Sequence, residues 1–360
     1  MLVGFPSGVS TDQSNPGLIQ CQGRATAAAV THGSVSLREV TITEKPDLAA
    51  LFGAPKVDTF LGLERCEDLS RIDASSAFIG VPCATPYGSV GPYAKDEPDS
   101  LRQSIASLAA NIDRMNFDIG GPLFPDGTKP AVDCGNLPYS ETDFAANRAT
   151  IRQAVSTIAG QGVVPIVVGG DDSVPIPMLD ALSDTGDRYT VLQIDAHIDW
   201  RDEHIGERFG LSSTMRRASE MAHIERIIQV GARGTGSAHP DDYRDALDWG
   251  AVFFTGEDVQ TRGIVPVIEA IPDGSDVIIC FDIDGLDPAI APNTIGRAPG
   301  GLSYVEALGL IKGAAARGRI AAMDVVEIFP DGDIDGIGAI TVSRLIAAAM
   351  GVIVRQDVPC

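Results

Sequence analysis

The sequence predicts an α/β domain built on a parallel sheet with helices covering both faces. From Ser76 onward, short β-branched or apolar runs alternate with stretches of helical periodicity, the signature of strands buried on both sides. Three of these runs end in acidic motifs, and in open parallel sheets the ligand site lies outside the carboxyl ends of the strands. The strand candidates are "AFIGVP" (77–82), "VVPIVVGG" (163–170), "YTVLQIDA" (189–196), "RIIQVGAR" (226–233), "AVFFTG" (251–256), "DVIICFDID" (276–284) and "IAAMDVVEI" (320–328). Between them, "DFAANRATIRQAVSTIAGQG" (143–162) has helical spacing and a glycine stop. "SYVEALGLIKGAAARG" (303–318) opens with Ser303 and Glu306 placed as a capping box. Residues 1–75 are mixed and rich in turn formers, and read as an N-terminal extension packed on the core, with "LREVTITEKPDLAALFGAP" its best place for a short helix. No internal repeat or low-complexity linker breaks residues 76–360, so a single main domain is expected.

At 360 residues with 44% hydrophobic content, the chain can fill a substantial core. Its 49 acidic residues against 27 basic ones give a net charge of −22. That charge repels nucleic acid and anionic membranes, and suits a small cationic substrate or bound metal ions. Cys21, Cys66, Cys83, Cys134, Cys280 and Cys360 form no C-x-x-C pair, so neither a thiolate zinc site nor a disulfide framework is expected. The opening "MLVGFPSGVSTDQ" lacks a basic n-region, and no run reaches the roughly 18 apolar residues of a membrane span. The expected location is the cytoplasm.

The acidic motifs are "GGDDS" (169–173), "DAHIDW" (195–200) and "CFDIDGLDP" (280–288). If the chain stays extended, alternation puts Asp195, His197 and Asp199 on one side of their strand, and Asp282 and Asp284 on one side of theirs. Carboxylates packed this closely cost several kcal/mol each to desolvate unless cations lie among them. A single D-x-D is as readily a capping or turn device, since aspartate favours such positions. Two such motifs, each ending an apolar run, argue for metal. Oxygen-rich ligation with one imidazole favours manganese, iron or nickel, and two ions about 3.5–4 Å apart would activate a shared water.

These motifs resemble those of the ureohydrolases, the family of arginase, agmatinase and guanidinobutyrase, whose pattern is G-G-D-H-S, D-A-H-x-D and S-x-D-x-D-x-x-D-P. Supporting similarity comes from "IGVP" (79–82), "DCGN" (133–136), "QVGARG" (229–234), "PGGLSYVEA" (299–307) and "MDVVEIFP" (323–330), and runs from about residue 76 to the end. The resemblance implies a three-layer α/β/α fold around a parallel, about eight-stranded sheet, assembled as trimers or hexamers, with two divalent metal ions at the strand ends, manganese ahead of nickel. It implies that Asp195 and Asp282 bridge both ions, that His197 and Asp284 serve one, and that Asp199 with Asp172 serves the other. Glu327 matches the glutamate that receives the guanidinium group, and Asp199 the residue that passes a proton to the leaving amine. The implied reaction is hydrolysis of a guanidino C–N bond to urea and an amine.

Two departures from the pattern stand out. Asp172 occupies the place of the family's first metal-binding histidine, exchanging a neutral nitrogen for an anionic, shorter side chain. After "DAHIDW", Leu211 aligns with a histidine that agmatinase-like members place near the substrate, while His204 lies close by in sequence. Trp200 is expected either to wall the pocket, offering a cation–π face, or simply to pack. The segment "VPCATPYGSVGPYAKDEP" (81–98) lacks the family's R-P-G-A-R-F-G-P entrance. The rewritten rim points away from arginine and towards agmatine, 4-guanidinobutyrate, guanidine, or an alkylated guanidine or biguanide. The alternative is a weakly active or non-catalytic subunit that supports an active paralogue in a hetero-oligomer.

Overall fold

The computed structural model describes residues 48–53 and 56–356. Among the described residues, nine strands form one sheet: β1 (Glu64–Arg65), β2 (Ser76–Gly80), β3 (Val132–Asn136), β4 (Val164–Val168), β5 (Tyr189–Ile194), β6 (Ile224–Val230), β7 (Val252–Phe254), β8 (Asp276–Asp282) and β9 (Arg319–Val326). Their order is β1-β3-β2-β4-β9-β8-β5-β6-β7, and every pairing is parallel. All seven strand candidates fall on strands. β1 and β3 are additions: β1 has two residues, and β3, "VDCGN", is too polar to read as a buried run.

Period-two alternation sorts the strand side chains onto two faces. On β8, Ile279 and Phe281 join one core with Leu308 and Ile311 of the helix Tyr304–Arg317 and Leu345 and Ile346 of the helix Ile337–Ile353. Ile278 and Cys280 join the other, with Ile151 and Val155 of the helix Phe144–Ala159 and Met178 and Leu179 of the helix Pro175–Ala181. The result is three layers, α/β/α.

Local signals set the helix starts. Ser303 and Glu306 exchange the two bonds of a capping box, and the Asp143 side chain accepts from the Ala146 amide at 3.0 Å. A short helix, Leu48–Phe52, falls within the segment expected to hold one, whose residues up to 47 lie outside the described residues, as do 1–36 of the extension. Beyond it, β1 pairs with β3 at the sheet edge. That edge is tied down by Asp133 on β3, which is fully buried. Its carboxylate accepts from Arg102 Nε at 2.8 Å and Nη2 at 2.9 Å, and from the amides of Phe60 and Gly135, each at 2.8 Å.

The acidic motifs lie at the carboxyl ends of β4, β5 and β8, and Glu327 of "DVVE" directly follows β9. These four strands are contiguous at the centre of the sheet, in the order β4-β9-β8-β5, so their carboxyl ends converge on one site.

Candidate metal centre

After β4 the chain turns sharply through Gly169 and Gly170, at φ 108° and 77°. A Cβ on Gly169 would lie 2.9 Å from the Val81 carbonyl oxygen, so only glycine fits there. Asp171 secures the turn by accepting the Ser173 amide at 3.1 Å. Asp172 is fixed by its backbone: its amide donates to Glu327 Oε1 at 3.0 Å, and its carbonyl accepts the Thr214 hydroxyl. Its buried Oδ2 has no partner among the described residues.

β5 ends at Ile194, and the chain beyond it bends rather than staying extended, with Asp199 in left-handed backbone at φ 48°. The convergence of Asp195, His197 and Asp199 therefore comes from this bend and not from strand alternation. Gln193 Nε2 reaches Asp195 Oδ2 at 2.7 Å and Asp199 Oδ2 at 2.9 Å, while Asp195 Oδ1 accepts the His197 amide at 2.5 Å. At the end of β8, Asp282 accepts the Asp284 amide at 2.8 Å, and Asp284 in turn accepts the Ala196 amide at 2.9 Å and stands 3.0 Å from His197 Nδ1.

Two triads result. Asp195, His197 and Asp284 each offer a ligand atom within 4.8 Å of one another, and so do Asp172, Asp195 and Asp199. Asp195 belongs to both. Asp282 lines the same cavity without joining either triad at that distance.

Every carboxylate in the cluster is at most 8% exposed. Burial, followed by mutual repulsion, pushes Asp172, Asp195 and Asp282 well above the usual carboxylate range. Burial also raises Glu327 to about 8 and Asp324 to about 7. For His197, burial disfavours the charged ring, but the hydrogen bond and charge of Asp284 outweigh it and raise the imidazole to about 9. Acids this crowded and this dry, with an orphaned carboxylate oxygen on Asp172, fit a pair of divalent cations.

Asp172, His197, Asp199, Asp282 and Asp284 line a cavity of about 280 Å³ together with Glu327, Tyr87, Leu211 and Ile295. His204 also lines it: its Nδ1 lies 3.1 Å from Arg201 Nη1, and its ring stands edge-on to Tyr87 at 4.8 Å. Trp200 does not supply a cation–π face. Its residue borders the cavity, but the ring is 2% exposed, packs 6.0 Å from Trp249, and donates to Gln229 Oε1 at 2.7 Å.

Several supporting residues stand outside the acidic motifs. Gln229 donates to Gln193 Oε1 and to the Ile198 carbonyl, so a chain runs from Trp200 through Gln229 and Gln193 to Asp195 and Asp199. The signal was present in "VLQIDA" and "IIQVGA": a glutamine interrupting each buried run, at positions that pair across β5 and β6. Arg233 donates to the carbonyls of Gly231, Asp284, Leu286 and Ala298, holding the Asp284 turn from behind. At Gly296, a Cβ would lie 2.5 Å from Asp284 Oδ2. Tyr93, in the rewritten entrance, donates to Glu327 Oε1 at 2.5 Å.

Comparison with known proteins agrees with this geometry. The arginase family model matches residues 74–351. An agmatinase of Gallus gallus, described as mitochondrial, is 30% identical over 277 residues, covering 75% of this chain and 78% of that one. A guanidinobutyrase of Pseudomonas aeruginosa is 26% identical over 309 residues, covering 83% and 94%. The crystal structure of a hypothetical agmatinase from Burkholderia thailandensis superposes with a TM-score of 0.73 at 23% identity, over 85% of this chain and 93% of that one. With a family model spanning strands β2 to β9 and every acidic motif of the cluster, the chain belongs to the arginase family.

Proposed function

We propose that this chain is a two-metal hydrolase that cleaves a guanidino C–N bond, releasing urea and an amine. The observation that carries this reading is the pair of ligand triads sharing Asp195, set in one cavity with the buried carboxylate of Glu327. Asp195, His197 and Asp284 would hold one ion, and Asp172, Asp195 and Asp199 the other, with Asp282 beside them. Divalent ions there, manganese ahead of nickel, would supply a water ionised near neutral pH. Glu327 binds the guanidinium through a charge-assisted hydrogen bond and turns its central carbon towards the metal ligands. Asp199, held by Gln193, accepts a proton and delivers it to the leaving amine.

Leu211 and Ile295 give the cavity apolar lining, and Arg201 is engaged with His204. Ser212 and Ser237 on the same lining are already hydrogen-bonded, and the Asp242 carboxylate repels the carboxylate of arginine's amino-acid head. Agmatine, 4-guanidinobutyrate, guanidine, or an alkylated guanidine or biguanide suits the cavity better. The active form is a homo-oligomer, a trimer or hexamer, working in the cytoplasm; among the described residues no helix is long and apolar enough to cross a membrane.

Asp172 supports a second reading. An aspartate in the family's histidine place, with one oxygen unpartnered, also suits a subunit that has lost one ion and supports an active paralogue in a hetero-oligomer. A urea-release screen over these compounds, with manganese and nickel in turn, decides between the two readings when run beside Asp172→His. Turnover by the wild type that the variant loses marks Asp172 as an adaptation. Inactivity that Asp172→His restores marks it as a defect, and inactivity of both with every metal sinks the hydrolase reading.

A further inference from the structure

We propose that Tyr93 sets which guanidino compounds this site accepts, by occupying one oxygen of the carboxylate that receives them. The inference rests on the reading of Glu327 as the guanidinium receptor, and deepens it.

Glu327 Oε1 accepts two donors, the Tyr93 hydroxyl at 2.5 Å and the Asp172 amide at 3.0 Å. Among the described residues, Oε2 accepts none, and Glu327 borders the cavity. A guanidinium ordinarily meets a carboxylate as a fork, with two parallel N–H groups on two oxygens. Here a second N–H must displace Tyr93 or crowd onto an oxygen that already has two donors. The substrate is therefore held by a single N–H on Oε2.

The segment that carries Tyr93 is tied to the chain beside Glu327, and Glu327 is held by its own backbone. The Tyr93 amide donates to the Gly91 carbonyl at 2.9 Å. Four residues further on, fully buried Glu97 accepts the Ile328 amide at 2.9 Å through Oε2. The Glu327 amide donates to the Gly170 carbonyl at 3.0 Å. Tyr93 thus meets a carboxylate whose backbone is clamped, and neither partner can easily yield to the other.

The chemical consequence is a preference among substrates. Compounds with two parallel free N–H groups gain nothing from the second. Substituted guanidines, in which alkyl groups replace that N–H, lose nothing. Tyr93 therefore shifts selectivity towards N-substituted guanidines.

Tyr93→Phe removes only the hydroxyl and keeps the ring. The probes are guanidinium, which offers parallel N–H pairs on every edge, and 1,1,3,3-tetramethylguanidinium, which offers none. Binding of each to the metal-loaded protein is measured by calorimetric titration, with kcat/KM followed on any turned-over guanidine. Freeing Oε1 is expected to tighten guanidinium binding about tenfold, the worth of one further hydrogen bond, while tetramethylguanidinium stays within about twofold. Weakening of both probes together means a merely structural role for Tyr93 and overturns the proposal, as does no change in either. Wild type that binds neither cation overturns the guanidino reading itself, and the Tyr93 assignment with it.

Discussion

Replacing Asp195 by Asn removes the one carboxylate that both ligand triads share, so a single substitution should abolish two binding events. An ion that binds the folded chain alone, at a hundred times its dissociation constant, stabilises it by about 2.7 kcal/mol. Two filled sites then contribute about 5 kcal/mol. Asp195→Asn is expected to lose nearly all of this. His197→Asn, which touches one triad only, should lose about half. The assay is the urea-denaturation midpoint of chelator-stripped protein, with and without Mn²⁺ or Ni²⁺, beside metal content per chain by atomic emission. An Asp195→Asn protein that keeps two ions per chain, or the full metal-induced shift, refutes the shared-ligand reasoning. A wild type that shows no metal-induced shift refutes the metal centre.

Three further outcomes follow from the packing. Arg102→Met should cost about 3–5 kcal/mol by leaving Asp133 buried without its main partner, and adding Asp133→Asn should recover part of that loss in a double-mutant cycle. The penalty should depend on pH: burial pushes the Asp133 carboxyl up, but Arg102 and the Phe60 and Gly135 amides outweigh that and hold it below the usual range. Its contribution is complete above the unfolded value near pH 4 and lost as pH falls through the lower folded value, so wild type and Arg102→Met should converge in acid. Gly296→Ala places a methyl 2.5 Å from Asp284 Oδ2 and 2.9 Å from His197 Cε1, and should weaken metal binding about 10–100-fold by titration. Trp200→Phe should cost about 1–3 kcal/mol in urea by stranding Gln229 Oε1, yet raise KM for guanidino cations less than about twofold, below the loss of a cation–π contact.

What was legible in the sequence was what repeats locally. Apolar runs such as "VVPIVVGG" announced β4, and Ser303 with Glu306 announced a helix start, because both depend on neighbours within a few residues. The acids that end β5 and β8 were equally visible, since a carboxylate closing an apolar run is conspicuous in any context. β1 and β3 were not visible: they owe their place to Asp133 meeting Arg102, 31 residues away in sequence. Tyr93 was hidden for the same reason, as its partner Glu327 lies 234 residues on. Trp200 shows the limit of reading a site by adjacency. It directly follows Asp199, yet the residue is 2% exposed and its indole N–H is spent on Gln229.

Asp199 and Glu327 both sit in left-handed backbone, at φ 48° and 76°, a conformation that costs an ordinary L-residue roughly 1–2 kcal/mol. An alanine scan across this cavity would therefore misreport both positions. Alanine lacks a side chain that bonds locally, so at residue 199 it forfeits aspartate's tolerance of this backbone as well as the carboxylate. Asn at 199 and Gln at 327 keep the size and an acceptor oxygen while removing charge. Those isosteres, unlike alanine, separate what the carboxylates do chemically from what the turns demand of whichever residue stands there.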